Sequence, residues 1–305
     1  MKSGGNMKIG LIGLGKMGLN LALNMKDKNH QVIVYNRSPE KTREAEKRGL
    51  EGAYSLQELI TKLAPPRVVW LMISAGAAVD EIIASLEPLL DKGDIIIDGG
   101  NSNYRDTLRR YGKLKEKGLN FVDIGTSGGI FGARRGACMM VGAEPEIFAV
   151  IEPLVSDACV KDGYLHTGEV GSGHFVKMIH NGIEYGMLQA IAEGFEILEK
   201  SRFDFDYEKI ARLWNNGSVI RGWLMELLER AFAKDAKLDA IKGEIDSSGE
   251  GLWTVEEALR LGVPAHIIAG SLFVRYRSKQ DDTFSGKVIA ALRNEFGGHK
   301  VTPKE

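Results

Sequence analysis

A doubly wound α/β sheet followed by an all-α domain is the fold class that this 305-residue chain predicts. Three observations carry the prediction. A short apolar run, MKIGLIG at 7–13, opens into the glycine-rich turn GLGKMG at 13–18. Further short apolar runs then alternate with helix-like stretches. From about Val170 onward the strand signals stop, and apolar residues recur at the 3.6-residue period of long helices.

The elements follow in order. Residues 7–13 read as a buried parallel strand, because they are apolar without alternation. A helix is expected from about Met17 to Lys28, and QVIVY at 31–35 makes the second strand. Helix-like stretches at 39–48 and 55–63 come next, with strands at VVWLMIS (68–74), DIIIDGG (94–100), FVDIG (121–125) and ACMMVG (137–142). Such alternation builds a sheet with helices on its faces. Beyond it, helices are expected at 172–200, 207–215, 218–233, 254–261 and 264–276, the first of them close to eight turns long. The stretch 157–173 reads as the boundary, giving a nucleotide-binding domain at 7–165 and a helical domain at 166–305.

Bulk properties narrow the function. Hydrophobic residues make up 44% of the chain and charged residues 27%, as in an ordinary globular protein. A formal net charge of −1 argues against a nucleic-acid surface, and no apolar run reaches membrane-spanning length. Cys138 and Cys159 are too few for a disulfide framework and lack metal-ligand spacing, so no metal is expected. They read as buried thiols of a protein in a reducing cytoplasm. The opening MKSGGN has no apolar core and is not a signal peptide; Met7 can serve as the start.

The glycine turn, placed between a strand and a helix, has the form of a dinucleotide site in a Rossmann-like domain. Gly13 allows the tight turn, Gly15 the approach of a pyrophosphate and Gly18 the packing of helix on strand. Lys16 and Met17, between them, count among the cofactor-binding candidates, and the helix N-terminus offers free N–H groups. At the end of the second strand, an NAD site places Asp or Glu to bind the adenosine ribose. Here the residues are Asn36, Arg37 and Ser38, so nothing there repels a 2′-phosphate. Arg37 can pair with that phosphate and Ser38 can donate to it, which favours NADP. The alternative is a surface Arg37, with Glu40 as the discriminating acid.

The segment HFVKMIHNGIEY at 174–185 carries the chemistry. At about 100° per residue, Lys177, Asn181 and Glu184 share one helix face, flanked by His180 and Tyr185. The opposite side, with Phe175, Met178, Ile179, Ile183 and Met187, is expected to bury. An amine, a carboxylate, an amide, an imidazole and a phenol on one rigid element form an acid/base set. A solvated polar face is the alternative.

Taken with IDGGNSNYRDTLRR (97–110), SGG (127–129), GARRGA just after it, and FGGH (296–299), these segments resemble 6-phosphogluconate dehydrogenase, decarboxylating, in a short form whose helical domain is not duplicated. The resemblance implies oxidation of 6-phosphogluconate by NADP, loss of carbon dioxide and formation of ribulose 5-phosphate. It makes Lys177 the base and Glu184 the acid. It assigns Asn101 to the sugar hydroxyls and the cofactor, Ser127, Gly128 and Gly129 to the C1 carboxylate, and His180 and Asn181 to orienting hydroxyls. Tyr185 and Arg275 match phosphate contacts, and Arg293 and His299 match residues that reach in from a neighbouring subunit. A homodimer or tetramer exchanging tails follows from that. Two departures stand out. Ser248 and Glu250 replace a lysine and a threonine of the longer form, and Ile130 replaces an acid after SGG. Glu250 is expected to turn away from the phosphate. The rival readings are a β-hydroxyacid or semialdehyde reductase that does not decarboxylate, and an inactive NADP(H)-binding sensor.

Overall fold

The structure, a computed structural model, describes residues 6–303; all of the MKSGGN segment but Asn6, and the last two residues of the tail, lie outside the described residues. The first part of the chain runs β1 (Lys8–Ile12), α1 (Lys16–Asp27), β2 (Gln31–Tyr35), α2 (Pro39–Lys47), β3 (Glu51–Ala53), α3 (Leu56–Thr61), β4 (Val68–Leu71) and α4 (Ala77–Leu86). It continues through β5 (Ile95–Asp98), α5 (Tyr104–Glu116), β6 (Asn120–Ser127), α6 (Gly129–Arg135), β7 (Ala137–Gly142), α7 (Pro145–Ala158) and β8 (Cys159–Gly168). The helices that follow are α8 (Ser172–Lys200), α9 (Tyr207–Asn215), α10 (Trp223–Phe232), α11 (Gly249–Leu261), α12 (His266–Arg277) and α13 (Phe284–Gly297).

The strands form one sheet in the order β3-β2-β1-β4-β5-β6-β7-β8. β1 to β6 are mutually parallel, β7 runs antiparallel to β6, and β8 is parallel to β7. The first six strands are therefore doubly wound, and the order reverses beside β1, where open α/β sheets bind ligands. Both faces are covered. Ile9, Leu11, Trp70 and Ile97 pack in one core, and Ile12, Ile33, Leu71 and Ile96 in the other. That explains the unbroken apolar runs of β4 and β5, which are buried at every position.

Two expectations change. The stretch read as a boundary contains β8, a ten-residue strand. It sits at the sheet edge with Val160, Lys161 and Asp162 exposed, so its polar sequence hid it. Nor are both thiols buried: Cys138 is exposed. Burial pushes the Cys159 thiol up to about 12.

The chain divides into two compact units after Asn181, within α8. In the second unit, Phe195, Tyr207, Ala211, Met225 and Phe232 make the core of α8–α10, with the Phe195 ring edge-on to Tyr207 and Trp214. Among the described residues, no helix is long and apolar enough to cross a membrane.

Candidate active site

The glycine turn is built for close approach. Gly13 has φ 103 and donates its N–H to the Tyr35 carbonyl at 2.9 Å. Asn36 Oδ1 accepts the Leu14 N–H at 2.9 Å, so this side chain ties the end of β2 to the turn. A Cβ on Gly18 would strike the Gly13 carbonyl, whereas one on Gly15 would meet nothing within 4 Å. Gly15 thus leaves its backbone open to an occupant just where α1 begins without a side-chain cap, and a helix N-terminus favours an anion. Lys16, Arg37 and Ser38 are exposed around this turn, and Met17 is half-buried. Glu40 pairs with Arg43 at 3.6 Å, both at the surface. These residues fit a bound dinucleotide.

α8 turns its polar side inward. Lys177 is 6% exposed and Asn181 7%, while Ile183 and Met187 are 52% and 51% exposed. Of the apolar stripe expected to bury, Met178 is buried and Phe175 and Ile179 are half-buried, whereas Ile183 and Met187 face outward. Burial of the polar face costs little because its groups find partners. Lys177 Nζ donates to Asn181 Oδ1 at 2.5 Å, and His180 Nδ1 lies 2.9 Å from the same oxygen. An amide oxygen only accepts, so His180 carries its proton on Nδ1. In the neutral ring Nε2 then accepts from the Ser127 hydroxyl, 3.2 Å away. A connected set of four side chains joins Ser127, His180, Asn181 and Lys177.

The helix approaches the sheet this closely because β6 has a glycine beneath the lysine. A Cβ on Gly125 would strike Cβ of Lys177. Gly171 and His174 donate their N–H groups to the two oxygens of Asp123 at 2.6 and 2.7 Å, fastening the start of α8 to β6. Burial pushes the Asp123 carboxyl up, while His174 beside it and these two N–H bonds pull it down. After Ser127, Gly128 and Gly129 both take positive φ, 106 and 58, turning the chain into α6. Ile130, the departure noted above, is exposed at 48%.

Asn101 is exposed on the turn after β5. That turn is anchored by residues that the sequence reading did not single out. Ser102 Oγ donates to Asp98 Oδ2 at 2.7 Å, and Arg110 Nη1 is 3.5 Å from that oxygen. A buried arginine and aspartate within one motif, IDGGNSNYRDTLRR, were the available signal.

In the second unit, Glu184 is half-buried on α8 and Tyr185 is buried. The Tyr185 hydroxyl lies 3.3 Å from both the carbonyl and the hydroxyl of Ser248, the N-cap position of α11. The Arg275 guanidinium stacks on the Tyr185 ring at 3.5 Å and donates to the Asp246 carbonyl at 2.8 Å. Tyr185, Arg275 and Ser248 therefore meet at one helix N-terminus. Glu250, in the first turn of that helix, turns into the protein rather than to solvent, and its Oε2 is buried without a hydrogen-bond partner among the described residues. Arg293 and His299 are exposed at the end of α13, a helix with no buried residue; the His299 N–H donates to the Arg293 carbonyl at 3.4 Å.

Comparison with known proteins matches both parts of the chain. The family model for the NAD binding domain of 6-phosphogluconate dehydrogenase matches residues 8–163, and that for the 6-phosphogluconate dehydrogenase C-terminal domain matches residues 173–293. The YqeC protein of Bacillus subtilis is 59% identical over 298 residues, which cover 98% of this chain and 100% of the relative. The NAD(+)-dependent, decarboxylating 6-phosphogluconate dehydrogenase of Haloferax volcanii is 41% identical over 302 residues, covering 98% of this chain and 100% of the relative. Among solved structures, the 6-phosphogluconate dehydrogenase of Plasmodium falciparum, studied with its cofactor NADP+ and its substrate 6-phosphogluconate, superposes with a TM-score of 0.83 at 34% identity, over 98% of this chain and 67% of that one.

Proposed function

This chain belongs to the 6-phosphogluconate dehydrogenase family, and from that premise we propose that it converts 6-phosphogluconate and NADP to ribulose 5-phosphate, carbon dioxide and NADPH. The observation that carries the reading is the buried Lys177, bonded to Asn181 Oδ1 beside the Ser127–His180 pair. The substrate class comes from the related 6-phosphogluconate dehydrogenases.

A nicotinamide held at the Gly13–Gly18 turn would supply the hydride acceptor for oxidation at C3 of the sugar acid. Lys177, as the free amine, accepts the C3 hydroxyl proton as the C3–O double bond forms. The lysine then returns a proton to that oxygen as the C1–C2 bond breaks and carbon dioxide departs, leaving an enediol. Glu184, two turns further along α8, protonates the carbon that becomes C1 of the pentulose. Ser127 and the amides at Gly128 and Gly129 hold the carboxylate, with His180 and Asn101 orienting the hydroxyls. Arg275, Tyr185 and the start of α11 take the phosphate, suited by a cation and a helix N-terminus. NADP is favoured over NAD because the turn at Asn36–Ser38 carries no carboxylate and Glu40 is engaged with Arg43. α13, which has no buried residue, is proposed, with Arg293 and His299, to complete the site of a second copy.

The test follows absorbance of reduced nicotinamide with 6-phosphogluconate, with NADP and NAD in parallel, and captures released carbon dioxide. NADPH and carbon dioxide in equal amounts are expected. Reduction without carbon dioxide would replace this reading with a non-decarboxylating β-hydroxyacid dehydrogenase.

A further inference from the structure

His174 is 1% exposed and sits three residues before Lys177 on α8. Its ring bridges two other elements. Nε2 lies 3.0 Å from the carbonyl of Gly100, and Nδ1 lies 2.7 Å from Oγ1 of Thr107 on α5. A carbonyl cannot donate, so Nε2 carries a proton and donates it to Gly100. In the neutral ring, Nδ1 accepts from the Thr107 hydroxyl. The backbone N–H of His174 is separately engaged by Asp123. The residue thus ties the start of α8 to three neighbours: to the Asp123 carboxylate of β6 through its own N–H, to the backbone of the turn after β5 through Nε2, and to the Thr107 hydroxyl on α5 through Nδ1.

The turn it grips is the one that carries Asn101, the residue immediately after Gly100. On the β5 side the turn is held by the Gly99 N–H on the Leu71 carbonyl, the Gly100 N–H on Asp98 Oδ1 and the Ser102 hydroxyl on Asp98 Oδ2, and the Nε2–H bond of His174 ties it to α8; a Cβ on Gly99 would strike the Trp70 indole and one on Gly100 the Ile73 carbonyl, so both positions require glycine. The same helix turn that holds His174 leads into Lys177. We propose that His174 is a positioning residue, whose Nε2–H bond to Gly100 fixes Asn101 relative to the Lys177 amine. This rests on the roles given above to Asn101 and Lys177. An ordinary buried histidine, present only to fill space, would not depend on which ring nitrogen carries a donor.

That distinction sets the experiment. His174→Gln keeps a donor near the Nε2 position, His174→Asn keeps one only near Nδ1, and His174→Phe keeps the volume with no donor. Hydrogen exchange of the substrate-free chains reads the anchor directly. Amides of residues 99–107 should exchange faster in H174F and H174N than in wild type, and H174Q should restore much of the protection. Steady-state rates with 6-phosphogluconate read the consequence. In H174F and H174N, kcat should fall on the order of 10- to 100-fold, the range for reacting groups misplaced by about an ångström. H174Q should recover most of the loss. Unchanged exchange at 99–107 in H174F would overturn the anchor. Faster exchange with an undiminished kcat, or equal losses in Gln, Asn and Phe, would overturn the positioning role. A wild-type chain that does not turn over 6-phosphogluconate would overturn the proposed function instead, and the exchange comparison would still decide the anchor.

Discussion

Replacing Arg110 by methionine removes the charge that holds three stretches of the nucleotide-binding unit together. The guanidinium is 2% exposed. It donates through Nε to Asp80 Oδ1 at 2.9 Å, through Nη2 to the Gly76 carbonyl at 2.9 Å, and lies 3.5 Å from Asp98 Oδ2. Asp98 has no exposed side-chain surface, and without Arg110 its charge keeps the Ser102 hydroxyl and the Gly100 N–H as partners. Removing one member of such a buried pair costs about 3–5 kcal/mol. Asp80 adds little, about 0–1 kcal/mol, because it is at the surface and keeps Arg109. For a unit of this size that predicts a melting point lower by roughly 6–20 °C, measured by thermal unfolding at neutral pH. Adding Asp98→Asn should recover part of the loss, since the orphaned charge is then gone. Acid adds a second reading. The Arg110 hydrogen bond, with Arg109 behind it, holds the Asp80 carboxyl well below the usual carboxylate range. A depressed folded-state value contributes stability that is complete above about pH 4 and lost as the pH falls below it. Wild type should therefore lose more stability than Arg110→Met on moving from about pH 5 to about pH 3. A melting point within about 2 °C of wild type, or no recovery in the double variant, would refute the reasoning.

Three further outcomes are expected. Arg37→Ala should weaken NADP by about 1.5–3 kcal/mol, the worth of a charge-assisted bond, and leave NAD nearly unchanged; equal losses in a binding titration would remove Arg37 from cofactor choice. Lys177→Met should abolish oxidation while cofactor still binds, and Glu184→Gln should slow turnover about 10²–10⁴-fold with a much smaller change in KM; near-normal turnover in either would remove that residue from the mechanism. Deleting residues 291–305 should raise the KM for 6-phosphogluconate. Mixing that chain with Lys177→Met should restore activity, because a hybrid pair contains one complete site; no recovery after proven subunit mixing would mean that each tail serves its own chain.

Much of the fold was legible in the sequence because the chemistry there is local. Gly13, Gly15 and Gly18 mark a turn that backbone sterics demand, and α8 begins and ends at the limits its periodicity gave. β8 was not legible, since an edge strand needs neither alternation nor an apolar run. The facing of α8 at Ile183 and Met187 was misjudged for a related reason. Periodicity separates two faces of a helix but does not say which one meets protein. Here Asn181, His180 and Ser127 supply partners that let the polar face go inward. His174 and Arg110 escaped because their importance lies in reaching Gly100, Asp98 and Gly76, contacts made across the sheet rather than along the chain.

The pairing of β6 with α8 has a consequence for how this segment can change length. Asp123, Gly125 and Ser127 recur every two residues on one side of the strand, and they meet His174, Lys177 and His180, which recur every three on the helix. The two elements mesh like gears of unequal tooth count. Inserting one residue between Asp123 and Ser127 would swing Ser127 to the opposite side of the sheet. Inserting one between His174 and His180 would turn the imidazole by about 100°. Viable length variants should accordingly be absent from 123–127 and 174–181, and collect instead in surface connections such as the one between α12 and α13.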